Sequence, residues 1–227
     1  MSEAVVYTDF EVVYNDEEVR EKLRVRPGTK AETRLKELLP VAREIAKPKS
    51  AVMILSPEIT GEGLVTLGGV TFKSRLLEQH LGELELAFPY VTTCGRELAE
   101  WTKSLSGLDQ FLADEIMTMA LRQAGVQLEA RLRARFDLPE VSAMNPGSLP
   151  NEWPITEQTP LFSLLGDLPG QIGVELLPSL LMSPGKTVSG IFFKTLEKFH
   201  NCQLCTKPDC PGRRAPFQGE GAAMAGH

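Results

Sequence analysis

The stretch from Met144 to Phe193 constrains the fold most. It opens as MNPGSLPNEWPITEQTPLFSLLG and continues as QIGVELLPSLLMSPGKTVSGIFF. Pro146, Pro150, Pro154 and Pro160 each remove a backbone donor and restrict the residue before them. Gly147 is free to take a tight-turn conformation. The first half is therefore not a regular element. It reads as a loop that presents backbone polar groups rather than filling a core. The second half supplies an anchor, because Thr187 to Phe193 is β-branched and aromatic, as a strand requires. The loop is expected to lie beside that strand and to form much of the functional surface.

Upstream, residues 4–15 contain two short apolar runs and at least one strand, with turns at Asp9 and Asn15. Residues 16–24 read as a helix capped by Asp16. Thr29 caps a second helix over Ala31 to Ala46, which Pro40 kinks or divides. Strands are expected at Ala51–Leu55 and around Val65 and Leu67, with a short helix over Ser74–Leu81. Leu84 to Thr93 has strand character. Cys94-Gly95 then turns the chain into a helix, RELAEWTKSLS. The longest helical pattern runs from Asp109 to about Ala134, with Gly125 as a weak point. Asp137-Leu138-Pro139 ends it and opens the proline-rich loop. A short helix follows Thr156 and ends at Gly166, and Met117, Met119, Phe192 and Phe193 are core candidates.

The apolar content of 42% and charged content of 24% over 227 residues suit a folded core. A formal net charge of −6 weighs against a general nucleic-acid binder, which carries a basic stripe. No apolar run approaches the roughly 20 residues of a membrane span. The acidic start, MSEAVVYTDFEVVYNDEE, lacks a signal-peptide pattern, so a cytoplasmic location is expected.

Cys94, Cys202, Cys205 and Cys210 are the four cysteines, three of them within nine residues. That clustering favours metal ligation or redox chemistry over a disulfide framework. The spacing is Cys202-x2-Cys205-x4-Cys210-Pro211, with Pro208 closing the second loop. Cysteine followed by proline is common at iron–sulfur ligands. Cys94 is the natural fourth ligand and His200 the runner-up. The expected product is a [4Fe–4S] cluster, with structural zinc and free or thiol-exchanging cysteines as the alternatives. Arg213-Arg214 follows the cysteines and suits a phosphate, a carboxylate or an acidic surface, or plain solvation.

Several ordered blocks carry a resemblance. Asp109, Met144-Asn145-Pro146-Gly147, Pro160-Leu161-Phe162, Ile172-Gly173, Leu180-Met182-Ser183-Pro184 and Val188-Ser189-Gly190 resemble the activation domain of cobalamin-dependent methionine synthase. The chain is more similar still to short free-standing relatives of that domain, over about residues 85–195. The resemblance implies an α+β fold with a twisted, mainly antiparallel sheet and flanking helices. Together with the cysteine spacing and the small, polar C-terminus, it divides the chain into an N-terminal α/β segment over 1–84, an activation-domain-like core over 85–200, a cysteine-rich metal-binding segment over 201–217 and a mobile tail over 218–227.

The family domain binds S-adenosylmethionine and helps return cob(II)alamin to methylcobalamin, with an electron from a flavodoxin-type donor. The resemblance thus implies reductive reactivation of a corrinoid protein or corrinoid-binding methyltransferase, with a flavodoxin or ferredoxin as donor. It places ligand contacts at Asp109, Asn145, Pro146, Gly147, Ser148, Ser189 and Gly190. Asp109 also suits a helix cap. The family loop carries an arginine and, after Pro-Gly, a tyrosine. Here Ala143 and Ser148 stand at those positions. These departures put S-adenosylmethionine in doubt and leave the corrin face or its carrier protein as the loop's contact. Two other readings remain open at this point. One is a non-enzymatic corrinoid-protein docking or chaperone subunit with structural zinc. The other is an iron–sulfur electron carrier.

Overall fold

The computed structural model describes residues 3–149, 151–207, 209–210 and 213–218. The elements in chain order are β1 (Glu3–Tyr7), α1 (Asp16–Lys22), α2 (Lys30–Ile45), β2 (Lys49–Ile54), β3 (Pro57–Gly61), β4 (Leu64–Leu67), β5 (Val70–Lys73), α3 (Arg75–Leu81), β6 (Ala87–Thr93), α4 (Arg96–Ser104), α5 (Gly107–Phe136), β7 (Glu140–Met144), α6 (Gln158–Leu165), α7 (Leu168–Gln171), β8 (Glu175–Leu176), β9 (Met182–Ser183) and β10 (Thr187–Thr195). Single 3-10 turns cover Ile155–Glu157 and Asn201–Gln203.

The main sheet has five strands in the order β1-β2-β6-β10-β7, all antiparallel. This is the expected α+β architecture. β6 is buried at all seven positions, because both faces of this middle strand are covered. Side chains alternate across the sheet. Ala51, Val91, Ile191 and Phe193 point into a core shared with Phe72, Leu77, Trp153 and Leu161. Val52, Phe88, Tyr90 and Phe192 point the other way, onto Ala124, Leu128 and Leu132 of α5. A third cluster joins α1, α2, α4 and the first half of α5. β3, β4 and β5 form a separate three-stranded sheet.

Local chemistry explains most boundaries. Asn15, not Asp16, caps α1, since its side chain accepts from the amides of Glu17 and Glu18. Thr29 caps α2, and the helix runs through Pro40 without dividing. α5 likewise runs unbroken through Gly125, where a Cβ would meet nothing within 4 Å. Residues 140–144, expected at the start of the loop, form edge strand β7 and pair with β10. The mobile tail expected over 218–227 lies outside the described residues except for Gln218, as do Pro150, Pro208 and Pro211. No described helix is long and apolar enough to cross a membrane.

Candidate functional site

The proline-rich loop leaves β7 at Met144 and is built around a tryptophan. Trp153 is fully buried and meets Phe72 edge-on, with ring centroids 6.0 Å apart. Its indole N–H donates to Glu157 Oε2 at 3.3 Å. Leu149 and Trp153 form an isolated antiparallel bridge. The Gly147 amide donates to the Trp153 carbonyl at 2.8 Å. Gly147 has φ +83°, and a Cβ there would stand 2.9 Å from Ile155 Cδ1, so the turn requires glycine. The loop is thus a braced hairpin. Ser148, Asn151, Glu152, Ile155 and Thr156 form its exposed face.

The loop lies beside β10 through Asn145. One amide hydrogen of Asn145 goes to the Tyr90 hydroxyl at 2.8 Å and the other to the Ser189 carbonyl at 2.9 Å. Ser189 Oγ donates to Gln158 Oε1 at 2.7 Å. Tyr90 stacks on Phe192, and burial drives its hydroxyl well above the ordinary phenol range. At Gly190 a Cβ would sit 2.2 Å from the Met144 carbonyl oxygen and 2.6 Å from Asn145 Nδ2. The glycine lets the exit of β7 press against β10.

Asn145, Gly147, Ser189 and Gly190 are therefore brought together, and Pro146 is buried next to them. Ser148 is on the exposed face instead. Asp109 is engaged elsewhere. It sits in the first turn of α5 and accepts a bidentate pair from Arg34 Nε and Nη2, at 2.9 and 2.7 Å. The Arg34 guanidinium holds its carboxyl below the ordinary carboxylate value. Sequence reasoning missed Trp153, Tyr90, Gln158 and Asn201 as parts of this site. The indole between two prolines was the one signal available for the first of them.

After β10 the chain returns across the same site as a C-terminal arm. Phe199 packs at a tilt against His80, with centroids 4.7 Å apart, and its amide donates to Ser142 Oγ at 2.8 Å. Asn201 Nδ2 donates to Asn145 Oδ1. Gln203 and Gln218 close the arm into a loop, through an amide–carbonyl bond of 2.8 Å and a side-chain bond of 3.0 Å. Arg213 fills this loop. Its guanidinium donates to the carbonyls of Cys202, Cys205 and Ala215 at 2.8, 3.0 and 3.1 Å, and also to that of Lys207.

The metal centre expected from the cysteines is overturned. Among the described residues no three His, Cys, Asp or Glu side chains gather where they could hold a metal ion. Neither a [4Fe–4S] cluster nor zinc on Cys94, Cys202, Cys205 and Cys210 fits the structure, and the iron–sulfur carrier reading falls with it. The reason is topological. Cys94 is fully buried in the helical cluster with Leu98, Leu112 and Ile116. Cys205 packs instead against the core on the far side of the sheet. Burial pushes the Cys94 thiol up to about 12, the behaviour of a packed, unreactive side chain.

No protein-family model matches the chain, and no curated protein sequence matches it. Solved structures do. A crystal structure of the MetH reactivation domain bound to AdoHcy superposes with a TM-score of 0.61 over 88% of this chain and 80% of that one, at 14% identity. The fold is reactivation-domain-like. At that identity the likeness is one of architecture. The mixed α/β order, the antiparallel sheets and the flanking helices carry it.

Proposed function

We propose that the chain is a reactivation factor for a corrinoid-carrying protein, such as a corrinoid-binding methyltransferase. It docks over the partner's corrinoid and supports the return of cob(II)alamin to an active state. The observation that carries this reading is the reactivation-domain-like fold, which spans most of the chain. The loop supports it too. Trp153 and Gly147 make it rigid, and it turns a polar face outward. A rigid surface loses little conformational entropy on docking.

The reacting chemistry belongs to the corrinoid and to an external flavodoxin- or ferredoxin-type donor; the chain orients and shields. No step through S-adenosylmethionine belongs to the reading. Half-buried Ala143 and exposed Ser148 occupy the family's arginine and tyrosine positions. Both amide hydrogens of Asn145 are already bonded within the fold.

Binding to a cobalamin-loaded corrinoid protein tests the docking. Ser148→Arg with Asn151→Arg alters only exposed positions. It is expected to weaken binding about tenfold, or ~1.4 kcal/mol. Equal binding by variant and parent, or no binding by the parent, contradicts the proposal.

A further inference from the structure

Three thiols in the C-terminal arm remain without a role once the metal centre is set aside, and the backbone treats them unequally. Cys202 lies inside the 3-10 turn Asn201–Gln203, and Leu204 continues that turn at φ −104°, ψ −7°. The Gln203 amide donates to the His200 carbonyl at 2.8 Å and the Leu204 amide to the Asn201 carbonyl at 3.2 Å. Cys202 and Cys205 are therefore three residues apart across one helical turn. Residues so spaced share a face, with Cβ atoms about 5–6 Å apart. A disulfide needs Cα atoms roughly 4.4–6.8 Å apart and Cβ atoms about 3.5–4.5 Å apart, so a backbone shift of about 1–2 Å at the end of the turn, with side-chain rotation, joins them. Cys210 is outside the turn and its carbonyl is held by the Arg213 amide at 3.0 Å. Both Cys202 and Cys205 are half-buried, open enough for a small reagent, whereas Cys94 is sealed.

We infer that Cys202 and Cys205 are a reversible dithiol–disulfide pair that exchanges with small-molecule disulfides such as glutathione disulfide. One arm thiolate attacks the reagent's S–S bond, forms a mixed disulfide and releases one thiol. The second arm thiol loses its proton and attacks the mixed disulfide, closing Cys202–Cys205 and releasing the second thiol. The pair gives up two electrons and two protons, and the reagent's disulfide becomes two thiols. The closed bond fixes the turn that carries Asn201, the residue bonded to Asn145. The arm is thereby a redox-set brace on the loop. The inference needs no corrinoid partner, so it stands or falls apart from the proposed function.

The test uses the full chain, reduced and then equilibrated with glutathione disulfide, trapped with iodoacetamide and mapped by fragmentation mass spectrometry. The expected product is an intramolecular Cys202–Cys205 link with the mass of two hydrogens lost, while Cys94 and Cys210 are alkylated after unfolding. Cys210→Ser should form the same link, and Cys202→Ser and Cys205→Ser should not. Amide exchange at Gln203 and Leu204 should slow at least severalfold on oxidation. A link through Cys210 in place of either, glutathione adducts without a link, or unchanged exchange overturns the inference.

Discussion

Asn201 Nδ2 donates to Asn145 Oδ1 at 3.1 Å, and through that bond the C-terminal arm is tied to the proline-rich loop. Asn145 also holds Tyr90 and Ser189. One side chain thus joins the edge of the sheet, its middle strand and the C-terminal arm. Replacing Asn145 with Ala leaves the Tyr90 hydroxyl and the Ser189 carbonyl without this partner. Stranded buried polar groups cost about 1–3 kcal/mol. Urea unfolding should show a loss of that size, and amide exchange over 199–204 should quicken. Unchanged exchange there would mean that the Phe199–Ser142 bond and the packing of Phe199, Leu204 and Cys205 on the core hold the arm without it.

Trp153 predicts a larger effect. It is fully buried, and its truncation leaves a cavity against Phe72 and Leu161. Trp153→Ala should destabilise by about 3–5 kcal/mol in urea unfolding. Trp153→Phe retains most of the buried area and should cost much less. Equal losses from the two would place the weight on the Glu157 hydrogen bond rather than on packing.

Two glycines give opposite signs. Gly190→Ala drives a Cβ into the Met144 carbonyl and should cost about 1–3 kcal/mol or more. Gly125→Ala, in mid-helix with open space around it, should stabilise by about 0.5–1 kcal/mol. Thermal or urea unfolding of both variants checks the pair.

The arm should also respond to acid. Burial first, then Lys198 and Arg214, holds the His200 imidazole below its ordinary value of 6.5. Burial of the ring favours its neutral form in the folded turn. The unfolded arm therefore takes up the proton at higher pH than the folded one. Arm stability is fully present above about pH 6.5 and declines as pH falls below it, through the folded-state value. Amide exchange at Gln203, corrected for its intrinsic pH dependence, should show this loss of protection. His200→Gln should flatten it.

The sequence revealed the elements whose residues agree with one structure. β10 was legible from its β-branched and aromatic run, and α5 from its 3.6-residue period. β7 was not, because Glu140–Met144 follows Leu138-Pro139 and merges with the breakers after it. β3 and β5 escaped because short, half-exposed strands carry little apolar pattern. At the site, Asn145, Gly147, Ser189 and Gly190 were picked out and do lie together. Trp153 was missed because flanking prolines suggest exposure, whereas here they shape a hairpin around a buried ring. Cys94 was misread for a related reason. A strand–helix turn looks accessible in sequence, but this one is buried in the cluster of α1, α2, α4 and α5.

The most direct measurement is the fate of cob(II)alamin on a corrinoid protein supplied with a reduced flavodoxin-type donor, followed by its visible spectrum with and without this chain. The account predicts that the cob(II)alamin band decays markedly faster with the chain present, and that Ser148→Arg with Asn151→Arg removes most of the gain. Decay at the same rate with and without the chain would contradict it, even if the two proteins bind.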